Sequence, residues 1–543
     1  MLTGNRATPE QPRRPIVGQL SRASLSRLAT SSHQDHSPPP PQQHISPMRT
    51  LLTLCFGVSL PLLLSAQVRH LPPDTAVTTQ HTLTVKGQPI RYTAEVGTQP
   101  VFLPDEAEAS AYLHYTYYTR DGAGAANERP LLISFNGGPG SGSVWMHLAY
   151  TGPKLLSVDD EGYPVQPYTL RDNPYSLLDV ADIVFVNPVN TGYSRLLADE
   201  EGKTADRDKF FGINADVNYL AEWISTFVTR KGRWLSPKYI IGESYGGTRV
   251  MGLAGALQSR QWMYLNGVIM VSPADYKWFE SDPPISVALQ LPYMAATAHY
   301  HGKMLDARLQ AMPLEEVLAK AETFALDTLM PAVARGGSLS AKQRADVAQQ
   351  MSRYSGLSTE AILSQNLHVP TSFFWKELLR DEGHTVGRLD SRYKGLDLKT
   401  SGDRPDYNAE LTSWLHAFTP GINHYFHEVL AFPTDVKYNM FGPVRPWDNA
   451  DNDVREQLRG AMAQNPFLKV LVQSGYYDGA TSYFNAKYTL DQLDPSGRLR
   501  DRMSFKGYES GHMMYLRRPD LEQANDDLRE FIQASTPEGA ARY

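Results

Sequence analysis

The chain has 543 residues, of which 41% are hydrophobic and 20% charged, a balance typical of a soluble folded protein. This composition excludes an intrinsically disordered chain and a polytopic membrane protein. The formal net charge of −6 argues against nucleic acid as a partner, because nucleic-acid binders usually carry a basic excess. The single cysteine, Cys55, allows neither an intrachain disulfide nor a cysteine-based metal site. We expect no metal and no cofactor.

The N-terminal part of the sequence does not resemble a folded domain. Residues 1–47 are rich in proline, serine and arginine, which predicts disorder or an over-extended start. Residues 48–66 have a positive beginning, an apolar run over 51–64 and a small residue before a cleavage point, the pattern of a signal peptide. The run is too short to span a bilayer, so we expect no stable membrane insertion after cleavage. An organellar transit peptide or a retained anchor is the alternative.

The predicted signal peptide contains Cys55, so the processed chain would have no cysteine. An exported protein without disulfides is more typical of a bacterial envelope than of a eukaryotic secretory route. We therefore expect an exported protein, periplasmic or extracellular.

The first predicted elements after residue 80 are strands that alternate in period two, His81–Val85 and Ile90–Val96, followed by a third at Ala111–Tyr118. Short continuous apolar runs follow, as expected for strands buried on both faces. They are Leu131–Phe135, Ile183–Val186, Tyr239–Ile241, Val268–Val271, Val470–Val472 and Met503–Phe505. Helical patterns lie between several of them, for example Ala215–Thr229 and Thr248–Leu257, and Leu521–Gln533 is the last. This alternation predicts an α/β fold with a mostly parallel central sheet.

About 200 residues without an obvious sheet strand separate Val268–Val271 from Val470–Val472. Apolar residues from Leu314 to Leu329 follow helical spacing, and the pair Gly336-Gly337 marks a stop. Ser340 and Gln343 have the spacing of a capping box for the next helix. We therefore predict three parts: 67–275 as the first part of the core, 276–425 as an inserted helical cap, and 426–543 as the second part of the core.

The motif Gly242-Glu243-Ser244-Tyr245-Gly246 is the one G-x-S-x-G of the chain. It follows a predicted strand and precedes a helical run, which is the context of a nucleophile elbow in α/β-hydrolases. The elbow is a tight turn in which side chains larger than glycine would clash at the flanking positions. The motif predicts Ser244 as a nucleophile.

A serine nucleophile needs a base, and the base needs a carboxylate that orients it. The chain order in α/β-hydrolases is serine, acid, histidine. His512 follows the last predicted strand and is the predicted base. Asp478 follows the strand Val470–Val472 and is the predicted acid, with Asp501 and Glu509 as weaker alternatives.

A glycine-rich loop, Phe-Asn-Gly-Gly-Pro-Gly-Ser-Gly at 135–142, comes directly after another predicted strand. Consecutive glycines let backbone N–H groups approach a ligand, and in this fold such a loop supplies part of the oxyanion hole. The N–H of Tyr245 supplies the rest. A phosphate-binding loop is the alternative, but the glycine spacing fits neither of the common phosphate motifs.

These motifs together resemble the serine carboxypeptidase family, peptidase family S10. The resemblance rests on NGGPG at 136–140, ESYGG at 243–247, the loop of Asp478 and the triplet Gly-His-Met at 511–513, and it extends to 173–176 and 181–194. It implies an α/β-hydrolase with a helical cap that releases single residues from peptide C-termini, typically best at acidic pH. It also implies roles for eight residues: the triad Ser244, Asp478 and His512; the oxyanion hole of Gly138 and Tyr245; and a site for the substrate carboxylate made by Asn136, Gly137 and Glu243.

The last of these roles explains an unusual residue. Glu243 lies beside the nucleophile, where a charged carboxylate would repel an anionic intermediate. A protonated Glu243 can instead donate a hydrogen bond to the carboxylate of the substrate, and two carboxyls that share one proton favour acidic pH. A simple esterase does not need such a pair.

The sequence departs from the family pattern at several positions. Ser134 stands where many members carry tryptophan, Thr248 replaces a histidine after ESYGG, and Asn187 and Asn190 replace the usual aspartate and glycine. With the family's disulfides absent, these departures predict a divergent bacterial member whose side-chain preference cannot be read from the sequence.

The predicted function is therefore a serine carboxypeptidase that acts on peptides with a free C-terminus through an acyl-enzyme on Ser244. The alternatives are an esterase or acyltransferase of the same fold and a non-catalytic envelope binding protein. An intact triad argues against the last of these. The sequence makes no prediction of the oligomeric state.

Overall fold

The computed structural model describes residues 71–104, 106–199, 201–274, 283–450 and 453–536. The predicted disordered segment 1–47, the signal peptide 48–66 and Cys55 lie outside these residues. The strands are β1 Thr75–Val85, β2 Gln88–Val101, β3 Ala111–Arg120, β4 Leu131–Phe135, β5 Lys154–Leu156, β6 Leu170–Asp172, β7 Asp182–Val186, β8 Arg195–Leu196, β9 Lys238–Glu243, β10 Gly267–Val271, β11 Thr385–Val386, β12 Lys394–Gly395, β13 Lys469–Gly475 and β14 Met503–Tyr508.

The α-helices lie mainly after β8. They are α1 Ile213–Arg230, α2 Tyr245–Arg260, α3 Pro283–Tyr300, α4 Ala307–Gln310, α5 Leu314–Phe324, α6 Met330–Arg335, α7 Ala341–Ser355, α8 Thr359–Ser364, α9 Thr371–Glu377, α10 Ala409–His424, α11 Val454–Gln464, α12 Tyr483–Leu493 and α13 Arg518–Ser535. Short π-helical segments occur at Met146–Tyr150, Ala325–Leu329 and Tyr425–Val429.

One large mixed sheet organises the described chain, in the order β1-β2-β3-β7-β4-β9-β10-β13-β14, with β8 beside β3. The first three strands pair antiparallel, and all strands from β7 to β14 along this order pair in parallel. Parallel strands bring their carboxyl ends to one edge. The glycine-rich loop after β4, the elbow after β9, and the loops after β13 and β14 therefore meet at this edge. The α/β-hydrolase fold predicted from the sequence is confirmed.

The two faces of the sheet carry separate cores. Ile133 and Ile240 point to one face, where they pack with residues of α1, α2 and α11. Their neighbours in sequence, Leu132 and Ile241, point to the other face and pack with residues of α13. Strands with buried side chains on both faces explain the continuous apolar runs in the sequence.

The segment between β10 and β13 is mostly helical, as the sequence predicted. Helices α3 to α9 share an apolar core of their own, formed by residues such as Leu291, Val317, Val347 and Phe374. Helix α10 differs, because its Trp414 and Phe418 pack into the core on the α13 face of the sheet. The short ribbon of β11 and β12 is a departure from the expectation of no strands here, although it does not join the main sheet. The boundaries 276 and 425 stay a prediction.

The local helix signals are confirmed where they can be compared. The side chain of Ser340 accepts a hydrogen bond from the backbone of Gln343, and the reciprocal bond is also present, so α7 begins with a full capping box. Helix α6 ends at Arg335, immediately before the glycine pair. Helix α2 begins at Tyr245 rather than Thr248, because the elbow places the chain in helical conformation directly after Ser244.

Candidate active site

Ser244 occupies the sharp turn between β9 and α2. Its backbone angles are φ 59° and ψ −124°, a region that non-glycine residues rarely adopt. The turn requires small neighbours, since a Cβ on Gly242 would overlap the carbonyl of Gly246 and one on Gly247 would lie 2.6 Å from the Cβ of Pro273. The backbone strain is thus located at the residue predicted to be the nucleophile, where it lifts the side chain out of the sheet edge.

The glycine-rich loop packs directly against this turn. A Cβ on Gly137 would lie 2.5 Å from the carbonyl oxygen of Glu243 and 2.6 Å from the backbone N of Tyr245. Gly138 adopts φ +106°, which bends the loop away from the turn. The two backbone segments predicted to form the oxyanion hole, at Gly138 and Tyr245, therefore come together beside Ser244.

A buried ion pair between Arg249 and Asp216 contacts the backbone of the glycine-rich loop. Arg249 on α2 donates through Nε to Asp216 on α1 at 2.7 Å and through Nη1 to the carbonyl of Asn136 at 2.6 Å. Both charged side chains are at most 1% exposed. Because a buried arginine needs its acceptors, the loop and the two helices are fixed relative to one another.

His512 and Asp478 form the second part of the site. Asp478 Oδ2 lies 2.7 Å from Nδ1 of His512, and both side chains are buried. Oδ1 of Asp478 accepts the backbone N–H groups of Ala480 and Thr481 at 2.8 and 3.0 Å. A carboxylate with this set of donors remains an acceptor for the imidazole N–H, which leaves Nε2 of His512 to act as the base.

The two weaker candidates for the acid do not take this position. Asp501 is exposed and precedes β14, at the edge of the sheet opposite the catalytic loops. Glu509 is exposed and lies 3.9 Å from Arg517. Of the three carboxylates named from the sequence, the structure brings Asp478 to His512.

The electrostatic environment of His512 has opposing contributions. Burial disfavours the imidazolium and lowers its pKa, whereas the charge and hydrogen bond of Asp478 and the charge of Glu243 raise it. The net result is a pKa above the ordinary value. A base with this environment readily takes the proton of a serine hydroxyl.

Glu243 is a buried carboxyl next to the nucleophile. It is 3% exposed, and burial raises its pKa to about 7. The hydroxyl of Tyr515 donates a hydrogen bond to its Oε2. Glu243 and His512 therefore influence each other's proton occupancy, and below neutral pH Glu243 is able to donate a hydrogen bond itself.

Asn136 is buried beside this carboxyl with one donor unused. Its Oδ1 accepts the backbone N–H of Met146 at 3.1 Å, which fixes the orientation of the amide. Its Nδ2 makes no well-formed hydrogen bond to any described residue, although a hydrogen-bonding interaction of the amide with Glu243 lowers the pKa of that carboxyl. A buried amide without a partner is costly, so a ligand oxygen at this position would be favoured.

Several residues of the site line a cavity of about 410 Å³, a volume suited to a small ligand. Ser244, His512 and Glu243 line it together with Gly137 and Gly138. Its other walls are largely apolar and include Trp145, Leu389, Leu411, Phe441 and Met513. The site thus combines a nucleophile and base with a pocket for an apolar group.

A model of the serine carboxypeptidase family matches residues 93–514 of this sequence, which is most of the chain. The chain belongs to the serine carboxypeptidase family. Among curated proteins, serine carboxypeptidase-like 36 of Arabidopsis thaliana is 32% identical over 172 residues, and serine carboxypeptidase-like 37 of the same plant is 29% identical over 218 residues. These alignments cover 31% and 38% of this chain and 33% and 39% of the relatives, so the chain spans between about a third and two fifths of the curated relatives it matches.

Among solved structures, a prohormone-processing carboxypeptidase from Saccharomyces cerevisiae matches with a TM-score of 0.48 and 15% identity. The alignment covers 82% of this chain and 92% of that one.

The departures from the family pattern have local explanations in this chain. Thr248 donates to the carbonyl of Ala274 at 2.5 Å, on the far side of the elbow. Asn187 is buried, accepts the N–H of Ser143 at 2.8 Å and contacts Nδ1 of His114 at 2.9 Å. Asn190 has φ 65°, a conformation that asparagine tolerates better than most residues. The buried hydroxyl of Ser134 has no partner among the described residues, and nothing in the structure explains its presence.

Sequence motifs missed several residues of this candidate site. Trp145 supplies an aromatic wall, and its indole donates to Ser141 at 3.2 Å. Thr481 donates to Asp478 at 2.6 Å, and Tyr515 contacts Glu243. Trp145 and Tyr515 lie within ten residues of a recognised motif, and this proximity was the only signal that could have identified them.

Two absences concern the described residues alone. No group of three or more His, Cys, Asp or Glu side chains is placed there to hold a metal ion. In the same part of the chain, no helix is long and apolar enough to cross a bilayer.

Proposed function

We propose that this protein is a serine carboxypeptidase that releases C-terminal residues from peptides. Ser244 Oγ attacks the carbonyl carbon of the last peptide bond while Nε2 of His512 takes its proton. The N–H groups of Gly138 and Tyr245 stabilise the oxyanion of the tetrahedral intermediate. His512 then gives the proton to the leaving amine, an acyl-enzyme forms on Ser244, and water releases the shortened peptide by the same steps in reverse.

The observation that carries this proposal is the pair formed by Glu243 and Asn136 beside the nucleophile. Glu243 is buried with a pKa raised to about 7 by burial, and Nδ2 of Asn136 is buried beside it without a well-formed hydrogen bond to any described residue. A free carboxylate in the cavity would accept a hydrogen bond from each of them. An ester or an amide of the same peptide offers one neutral oxygen instead, so the pair favours free acids.

The proton balance of the site sets the pH range. Catalysis needs neutral His512 and, for a free acid, protonated Glu243. The two groups are coupled, because the charge of Glu243 raises the pKa of His512 and the charge of His512 lowers the pKa of Glu243. In the productive arrangement the proton is on Glu243 and His512 is neutral. A bound substrate carboxylate favours this arrangement, since a like charge beside Glu243 raises its pKa.

The test compares kcat/KM for blocked dipeptides with free C-termini, their C-terminal amides and matching esters, from pH 5 to 9. We expect the free acids to exceed the amides by about 10–100-fold at pH 6. Equal rates for acids and amides would contradict the proposal. Efficient transfer of the acyl group to an added alcohol, in preference to water, would instead support an acyltransferase of the same fold.

We further propose that the protein is exported, on the basis of the signal-like pattern of residues 48–66. Expression from Met48 in a Gram-negative host should give a protein that begins near Gln67 in the periplasm or medium. An intact N-terminus on a cytoplasmic protein would contradict this.

A further inference from the structure

The hydroxyl of Tyr515 donates a hydrogen bond directly to the carboxyl of Glu243. Tyr515 lies three residues after His512, in a short 3₁₀ segment, Met514–Leu516, and is fully buried. Its ring stacks on that of Tyr150, with centroids 4.7 Å apart and an interplanar angle of 11°. The phenol is therefore held in one orientation by packing, with its hydroxyl on the carboxyl of Glu243.

We infer that Tyr515 is a positioning residue whose hydroxyl occupies Oε2 of Glu243 and thereby directs the carboxyl proton to Oε1, the oxygen left for the substrate. This inference rests on the proposed function and identifies how its carboxylate site is oriented. A carboxyl has two equivalent oxygens, and a permanent donor at one of them makes the other the favoured place for the proton.

Tyr515 can act as a permanent donor because it keeps its own proton. Burial and the neighbouring charge of Glu243 raise its pKa well above the ordinary value of a phenol. The other titratable groups that influence Glu243 are His512 and Asp478, and Tyr150 influences Tyr515. Since the Tyr515 hydrogen bond favours the ionised form of Glu243, its removal should raise the pKa of Glu243 further above 7.

Tyr515→Phe tests this inference, and Tyr150→Phe is the matched control. The two rings stack on each other, but the hydroxyl of Tyr150 donates to Gln473 at 2.6 Å and not to Glu243. The titration of Glu243 is followed directly by NMR on protein labelled at the glutamate carboxyl carbons, with Glu243→Gln to identify its signal. This readout does not depend on peptidase activity.

We expect Tyr515→Phe to raise the pKa of Glu243 by about one pH unit and to lower kcat/KM for free-acid peptides by about tenfold. Hydrolysis of the matching esters should change by less than about twofold, and Tyr150→Phe should leave the titration in place. An unchanged titration in Tyr515→Phe, or an equal shift in Tyr150→Phe, would overturn the inference. A wild-type protein without preference for free acids would contradict the proposed function instead, and the titration would still decide the role of Tyr515.

An independent observation concerns charge on the cavity wall. Arg388 lines the cavity and is exposed, and its guanidinium has no hydrogen bond or ion pair to any described residue. Its backbone is nevertheless fixed, because its carbonyl accepts the N–H of Gly479 at 3.0 Å and the next residue, Leu389, is held by Glu410 and by His512. The charge is close enough to the base to lower the pKa of His512.

We propose that Arg388 makes this cavity selective for substrates with an acidic side chain next to the bond that is cleaved. The walls beside it, among them Leu389, Leu411 and Ala480, are apolar, and Glu410, whose pKa the charge of Arg388 lowers, is buried and makes no ion pair with it among the described residues. Arg388 is therefore a cation at an apolar part of the cavity wall. A carboxylate of the substrate would pair with it, and a lysine at the same place would be repelled. This proposal also rests on the site being catalytic, but not on its acting on free C-termini.

The test uses N-acyl esters and blocked dipeptides that differ only by Glu, Gln or Lys on either side of the cleaved bond. We expect wild type to prefer Glu over Gln by about three- to tenfold at low salt on one of the two sides. Arg388→Gln should remove this preference, and Arg388→Glu should reverse it towards Lys. Equal losses on Glu and Gln substrates would mean that Arg388 binds the main-chain carboxylate, and no change at all would mean that it binds nothing; either result overturns the proposal.

Discussion

The two halves of the candidate site differ in how completely their polar groups are satisfied. On the catalytic half, Asp478 accepts two backbone N–H groups, a hydroxyl and the imidazole of His512. On the half that we assign to recognition, Asn136 has an unused donor, and Glu243 has a raised pKa. The carboxylate of Asp478 is satisfied without a ligand, whereas we expect a ligand to complete the hydrogen bonds of the second half. The difference implies that the chemical step and the choice of substrate can be separated by mutation.

The largest expected effect comes from the catalytic half. Ser244→Ala and His512→Ala should each lower kcat by about 10⁴–10⁶ on peptides and on esters alike, because both reactions use the same nucleophile and base. Asp501→Ala should retain activity, since this exposed side chain lies at the opposite edge of the sheet. Substantial peptide hydrolysis by Ser244→Ala would contradict the assignment of Ser244 as the nucleophile.

A smaller and selective effect is expected at Asn136. Asn136→Ala should lower kcat/KM for free-acid peptides by about 10–100-fold and that for esters by much less, since one charge-assisted hydrogen bond is lost. Ser134→Ala is a matched control two residues earlier, near the end of β4, because its buried hydroxyl has no partner among the described residues. Equal losses on peptides and esters in Asn136→Ala would mean that the two halves are not separable.

Glu243→Gln should change the shape of the pH profile more than its maximum. In wild type, kcat/KM for free acids should decline as pH rises through about 7, because protonated Glu243 is lost there. The amide of glutamine donates at every pH, so this decline should disappear, with a difference of about tenfold at pH 8. The comparison of the two profiles from pH 5 to 9 is the measurement. If kcat/KM declined at the same pH in wild type and in Glu243→Gln, the decline would have to be due to the titration of another group.

Substitution of His147, a buried histidine outside the cavity, should leave activity unchanged and alter only the pH dependence of stability. Burial lowers the pKa of His147 to about 3. The unfolded chain therefore binds a proton at this histidine more readily than the folded chain does. The free energy of unfolding is highest above pH 6.5 and declines as the pH falls towards 3. Between pH 6.5 and 5, the free energy of unfolding of His147→Phe should decline by about 2 kcal/mol less than that of wild type. Urea unfolding at the two pH values measures it. An unchanged pH dependence of stability would show that His147 is already neutral in the unfolded chain or charged in the folded one.

Several features could be predicted from the sequence because they depend on residues close together in the chain. The capping box of Ser340 and Gln343 lies within one helical turn. The nucleophile elbow is a contiguous motif between a strand and a helix, so Ser244 could be named with its local conformation. The alternation of apolar strands with helices determines a parallel sheet, and a parallel sheet brings the loops of Asn136, Asp478 and His512 to one edge.

The partners of the recognition half could not be predicted in this way. Tyr515 and Glu243 are 272 residues apart, and their hydrogen bond exists because β9 and the segment after β14 meet across the sheet. Trp145, just after the glycine-rich loop, and Arg388, in the mainly helical segment between β10 and β13, line the same cavity. No periodicity or motif specifies such contacts, because they depend on how separate elements pack.

The sequence by itself therefore determined the fold class, the family, and the named candidates for nucleophile, acid and base, all of which follow from local patterns. Only the tertiary structure decided which of three carboxylates orients His512, which phenol contacts Glu243 and which cation faces the cavity. The physical reason is burial: a raised pKa, an unpaired amide and an unpaired guanidinium are properties of an environment assembled from distant segments, not of the residues themselves.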